Sequence, residues 1–336
     1  MTDGPQTDFS VPEEEQAQQL RELKSKLETA GIDVSKLVSK PLSCDYSDSS
    51  ESPPFYSVFH IPTKNSDAVT LWEKLKELTA QTGYSPVINQ YRELYWQAPF
   101  DQRFPWDPET DHPPYEPKEI QRERFLSAVK QAEEFDADQW FKERLAQEQK
   151  QMEEPMSKGL MDWLEKAAEQ QPAFFTMSRL PSTVEGFQKW AAEEKRQRWD
   201  LDVETWPENV EPSNYLYTVS KSPHVYIDLF QTDKAWEILE MRQNCPGNNY
   251  YMTPIEHMAV LKKWHKEYGA DLIVHAGDTL EFRVSRPPQT REAAIKLAVE
   301  HYLYCVDCVV QSVSPATIKQ RAARILNGST WYFWWD

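Results

Sequence analysis

Thr330-Trp331-Tyr332-Phe333-Trp334-Trp335-Asp336 closes the chain, and five aromatic side chains in a row are an aggregation hazard unless covered. On a strand Trp331, Phe333 and Trp335 point one way and Tyr332 and Trp334 the other. Both faces are large and apolar, which predicts a strand inside a sheet, paired centrally between strands from elsewhere in the chain. Working back along the chain, Ser314-Pro315 opens a final helix and Gly328 closes it. Thr290 caps a long helix whose inward face is Ile295, Ala298, Tyr302, Cys305 and Val309. Asp271–Ala276 and Thr279–Ser285 read as a hairpin around Gly277-Asp278. Thr253-Pro254-Ile255-Glu256 is a capping box with proline at the first helical position, and that helix runs to Tyr268 and stops at Gly269. His224–Phe230 reads as a strand.

The other end supplies the partners for that tail. Residues 12–30 form a short amphipathic helix with Leu20, Leu23 and Leu27 at helical spacing, and Ser43 to Pro54 is a polar linker. Tyr56–Ile61 reads as a strand, and Asn65 or Ser66 caps a helix carrying Val69, Trp72, Leu75 and Leu78. Gly83 ends that helix and Ser85–Ile88 returns as a strand, a β-α-β unit. Residues 91–120 are too rich in proline for a regular element. Residues 117–200 are helical and charged, with Phe125, Val129, Phe135, Trp140, Phe141 and Leu145 as sparse apolar positions. The expected fold is α+β: a mixed sheet with helices packed on it and the aromatic strand central. Its domain combines residues 55–90 with 215–336, residues 1–54 are a helix and linker, and residues 91–214 are a Pro/aromatic-rich stretch and helical insertion.

The 336 residues include 13 Trp, 15 Tyr and 14 Phe, enough to close a substantial core and rule out wholesale disorder. Acids outnumber bases 54 to 37, a net charge of −17 that is repelled by phosphate backbones and anionic membranes. Nucleic acid and membrane are therefore not expected partners. The first fifteen residues lack a secretory signal, no apolar stretch spans a bilayer, and Cys44, Cys245, Cys305 and Cys308 lack disulfide-scaffold density. A cytoplasmic protein is expected.

Asn244-Cys245-Pro246, Pro254, Glu256-His257, Leu261, Trp264-His265, Tyr268-Gly269-Ala270, Gly277-Asp278, Arg286-Pro287-Pro288, Thr290-Arg291-Glu292-Ala293, Tyr302, Tyr304-Cys305, Asp307 and the WYFWWD ending together resemble the bacterial family catalogued as domain of unknown function 4253. The resemblance covers residues 222–336, and more loosely Phe55–Ile88 through Trp72-Glu73, Leu75 and Thr82–Val87. Residues 1–54 look like a private extension. Family members more often carry an apolar residue where Cys308 stands. The resemblance brings no activity, since the family is named for lacking one.

Candidate site residues follow from the same block. His257, Leu261, Trp264 and Tyr268 share one helix stripe, so His257 is either a base or ligand with a lowered pKa or a core histidine bonded to a carbonyl. Asp278, Arg286, Asp307 and Asp336 mark a pocket rim if they converge, with Arg286 clamping Asp307 or the terminal carboxylates. Asn244, Cys245 and Trp264 complete the candidate pocket set. His301, Cys305 and Cys308 recur at i, i+4 and i+7 as three potential metal ligands without a fourth, so no metal or cofactor is expected. GxSxG, HExxH, Walker A, SxxK and GxGxxG are absent. Two classes remain. The first is a non-enzymatic interaction protein, an adaptor or immunity-type antagonist of a basic partner, argued from charge and aromatic abundance. The alternative is a hydrolase or transferase using His257 with Asp278 or Asp307.

Overall fold

Among the described residues seven strands form one mixed sheet: β1 (Val38–Ser39), β2 (Val58–Lys64), β3 (Ser85–Asn89), β4 (His224–Phe230), β5 (Ala270–Ala276), β6 (Thr279–Val284) and β7 (Thr330–Trp334). The computed structural model describes residues 13–39, 56–89, 118–153, 158–170, 181, 183–221, 223–242, 252–276, 278–311 and 317–335. The expected linker at Ser43 to Pro54 and most of the proline-rich stretch lie outside these residues. The spatial order is β1-β2-β4-β3-β5-β6-β7. Every pairing is antiparallel except β3 with β5. The α+β reading holds, with helices packed around a mixed sheet.

The β-α-β unit forms, but β2 and β3 do not touch. Both pair with β4, which lies between them from Val58↔Phe230 to Lys64↔His224 on one side and from Ser85↔Phe230 to Asn89↔Tyr226 on the other. The element tying the amino-terminal unit to the carboxy-terminal block is therefore β4. The aromatic β7 is a correction: it sits at the sheet edge and pairs with β6 alone. Its inner face, Trp331 and Phe333, is fully buried, while Tyr332 and Trp334 stay half-exposed. One apolar face is enough to hold a strand in place, so burial on two sides was not required. The outer edge is blunted at its start, where Thr330 N donates to Ser213 O at 3.1 Å and Ser329 N to the Asn214 side chain at 3.0 Å.

Alternation divides the core between the two faces. Phe59, Ile61, Ile88, Ile227 and Leu229 cluster with Trp72 and Leu75 of the helix Asn65–Glu77. Leu23 and Leu27 of the helix Glu13–Thr29 belong to the same cluster, followed by Ile32, Val34 and Leu37 on the way to β1. The segment read as a private extension is thus part of the core. Trp72 fixes its helix to the sheet by donating Nε1 to Pro86 O at 2.8 Å. The expected cap at Asn65 or Ser66 is absent; Lys64 holds the cap position and its side chain makes no capping bond.

On the other face, Trp264 of the helix Pro254–Tyr268 stacks on Phe333 at 5.5 Å and meets Trp331 edge-on at 5.6 Å, with Phe282 beside both. The capping box is present as read: Glu256 N donates to Thr253 Oγ1 and Thr253 N to Glu256 Oε2. Gly269 ends the helix at φ +58, where a Cβ would fall 2.0 Å from Ser285 Oγ.

The chain divides into two compact units, one of Met1–Ala137, Ser213–Pro287 and Ser329–Asp336, the other of Asp138–Pro212 and Pro288–Gly328. The first holds the sheet. The second groups the helices after Pro288, read above with the sheet, with the charged helical stretch instead. Within it Arg291–Tyr304 packs on Ile318–Ile325, and Ala294, Leu297, Ala298, Ile318 and Ala322 are buried. Thr290 caps the first of these helices; Thr317 caps the second, whose expected start at Ser314-Pro315 lies outside the described residues. Tyr302 donates to Glu148 at 2.6 Å, and Lys319 reaches Asp200 and Thr205. Among the described residues no helix is long and apolar enough to cross a membrane.

Candidate functional site

Within the first unit, the described residues named from sequence separate rather than converge. Trp264 is wholly buried among aromatic rings. His257 is also fully buried, edge-on to Trp335 at 6.1 Å. Asp278 fastens β7: its Oδ2 accepts from Trp334 Nε1 at 2.8 Å and its carbonyl from Trp335 N at 3.1 Å. Because Trp334 and Trp335 face opposite ways, the Asp278 carboxylate is committed away from the His257 side. Arg286 donates to the carbonyls of His265 and Lys266 at 3.2 and 2.7 Å, capping the helix Pro254–Tyr268 instead of clamping a carboxylate. Asp278 and Arg286 stand beyond opposite ends of β6, a strand of roughly 20 Å, so the expected rim does not assemble. Asp307 belongs to the second unit, where it accepts from Gln311. Asn244, Cys245 and Asp336 lie outside the described residues.

The helical face proposed for His301, Cys305 and Cys308 is broken. The helix ends at Tyr304, Cys305 turns out of it at φ −145 and ψ 95, and a new short helix starts at Asp307. His301 Nδ1 accepts from Arg321 Nε at 3.1 Å. Burial, and then the Arg321 charge, push this imidazole well below its ordinary range. Among the described residues no group of three or more His, Cys, Asp or Glu side chains is placed to hold a metal ion.

A different polar constellation occupies the sheet of the first unit. Asp228 lies in the middle of β4 with His60 directly opposite on β2. His60 Nδ1 stands 2.7 Å from Asp228 Oδ1, and Asn89 Nδ2, from the end of β3, donates to Asp228 Oδ2 at 3.3 Å. All three side chains are buried. Asp228 is an acceptor, so Nδ1 carries the proton and the lone pair of the neutral ring sits on Nε2. The parallel register Ile88↔Val274 makes Asn89 and His275 successive neighbours on the same face, where β3 and β5 both end. Ligands of open parallel sheets gather at such carboxyl ends. Sequence reasoning missed these residues, though a signal was present: Asp228 is an acid inside a strand whose other inner positions are apolar, which calls for a partner.

Residues 226–336 match the model of a domain of unknown function, DUF4253. No curated protein and no solved structure matches the chain. The DUF4253 match starts in β4, so Asp228 lies inside it while His60 and Asn89 lie before it. The constellation is thus completed by strands that precede the DUF4253 block.

A cavity of about 320 Å³ opens at the opposite end of β5, lined by Lys76, Glu133, Trp236, Lys262, His265 and Asp271 among others. Several of its charged groups are held by their neighbours. Lys262 donates to the carbonyls of Ala132 and Glu133, and Lys234 pairs with Glu133 at 2.8 Å. Burial opposes the Asp271 charge, but the contact with His265 at 3.0 Å and Lys76 at 2.8 Å outweighs it, holding this carboxyl below its usual range. A depressed folded pKa means stabilisation that is present above the unfolded value of about 4 and lost as pH falls through the folded one. Asp271→Asn should cost about 1 kcal/mol at pH 7, with half-exposed partners limiting the effect, and progressively less as pH falls from about 4 to 2. Urea denaturation of both proteins across that range checks it; an undiminished difference at pH 2 assigns the cost to packing instead.

Glu281 is a further residue that pattern reading passed over. Its two oxygens accept from Tyr217 N and Thr218 N, each at 2.7 Å, holding the short helix Tyr217–Lys221 against β6. Burial pushes its carboxyl up against the lowering effect of the Thr218 hydroxyl and those amides.

Proposed function

We propose that the first unit carries a histidine acid–base site, in which His60 takes or delivers a proton through Nε2, and that the protein is a hydrolase or transferase working through it. The observation that carries this reading is the 2.7 Å contact of His60 Nδ1 with a buried Asp228 whose second oxygen is held by Asn89. A carboxylate fixed on one ring nitrogen sets the tautomer, orients the ring and stabilises the imidazolium once Nε2 has accepted a proton. The enzyme class is the one weighed from sequence, but the histidine and its carboxylate are different residues. The test is turnover of chromogenic esters, phosphoesters and amides by the whole chain, His60→Gln and Asp228→Asn. Both variants should lose on the order of 100-fold or more in kcat. Turnover that His60→Gln leaves unchanged sinks the proposal.

The interaction reading draws on the net charge of −17 and on Trp163 and Trp190, which stand exposed on the helices Lys158–Gln170 and Val184–Arg198. Its weakness is local: on Val184–Arg198, Lys189 and Arg196 pair with Glu185 and Glu193, so no acidic field is concentrated there. Salt-sensitive capture of a basic protein, lost in Trp163→Ala, favours this second reading.

A further inference from the structure

We infer that Cys305 and Cys308 form a reversible disulfide with each other, making the end of the helix Arg291–Tyr304 a redox modification site. The sequence Cys305-Val306-Asp307-Cys308 places two thiols three residues apart. Where the helix stops, Cys308 N donates to Cys305 O at 3.2 Å and closes a turn. Such a turn brings the first and fourth Cα within about 7 Å, which overlaps the roughly 4.4–6.8 Å that a disulfide spans. The two side chains are in hydrogen-bond contact, and both carry thiols in this structure.

The surroundings separate the two roles. Cys308 Sγ also reaches the His301 carbonyl at 3.5 Å, and Arg321, anchored on His301 Nδ1, supplies the nearby positive charge. Burial works against a Cys308 thiolate and Asp307 adds to that, but the Cys305 hydrogen bond and Arg321 outweigh both and hold it below the usual thiol range. Cys308 is then the attacking sulfur. Both residues are buried, which selects a small oxidant, a peroxide. The Cys308 thiolate attacks one peroxide oxygen; an S–O bond forms, the O–O bond breaks, and the departing hydroxide takes up a proton as water. Cys305 sulfur then attacks the sulfenic sulfur, the S–S bond forms, and hydroxide leaves with the Cys305 proton as a second water. Two thiols and one peroxide give one disulfide and two waters.

The experiment exposes the whole chain to hydrogen peroxide, alkylates the remaining thiols with a maleimide under denaturing conditions, and maps the peptides. The expected result is a peptide linked from Cys305 to Cys308 and lighter by two hydrogens, which dithiothreitol returns to two alkylatable thiols. In Cys308→Ser, which keeps a hydroxyl near the His301 carbonyl, Cys305 should stay alkylatable at the same dose. The inference is overturned if both thiols stay alkylatable while Cys44 or Cys245 oxidises, or if Cys308 proceeds to sulfinic acid without linking. Loss of Cys305 at an unchanged rate in Cys308→Ser removes Cys308 as the attacking sulfur.

Discussion

A chain ending at Thr330 should no longer unfold cooperatively. Removing the last six residues takes away Trp331 and Phe333, both fully buried, and strips Trp264 and Phe282 of the rings packed on them. It also leaves β6 as an unpaired edge beneath an exposed aromatic patch, a template for aggregation. Trp331→Ala alone should cost about 3–5 kcal/mol, a large share of the roughly 5–15 kcal/mol that stabilises a domain. Tyr332→Ala, on the half-exposed face, should cost about 1 kcal/mol. Denaturation followed by tryptophan fluorescence and near-UV circular dichroism checks the order. A truncated chain that is soluble and melts in one sharp transition contradicts the role given to the aromatic layer.

Asp228→Ala should be the most damaging single change in the sheet away from that layer. It leaves the His60 and Asn89 donors buried without the acceptor they share, a loss of about 3 kcal/mol for a charge-assisted network. His60→Leu combined with Asp228→Leu should recover most of that loss, since an apolar pair replaces a buried polar one at little cost. Recovery stays incomplete because Asn89 loses its bond to the Asp228 carboxylate. The coupling between the two positions, about 1.5–3 kcal/mol, comes from a double-mutant cycle in urea. Strictly additive effects contradict the contact. The double variant also bears on function, because a protein restored in stability but inactive in turnover has kept the pair for chemistry.

What was legible in the sequence is local. The capping box at Thr253 and Glu256, the cap at Thr290, the hairpin joining β5 to β6 and the glycine ending the helix at Tyr268 each depend on residues within a few positions of one another. The α+β class followed from the same signals, summed along the chain. The reading of β7 went astray because five aromatics register how much surface must be covered, not which strand covers it. Its inner face needed Trp264 and Phe282; its outer face made do with Tyr217, edge-on to Tyr332 at 5.3 Å.

His257 stood out for lying on an apolar stripe, and that stripe is simply core. His60 and Asp228 did not stand out, because they are 168 residues apart and meet only through the register of β2 on β4. Sequence alone determined most of the elements, the caps at Thr253 and Thr290 and the need to bury the aromatic strand, since these arise from backbone periodicity and side-chain size. Only the tertiary structure decided the strand order, the edge position of β7 and the neighbours of Asp228, because strand pairing is set by competition among distant segments for the same hydrogen bonds and the same apolar surface.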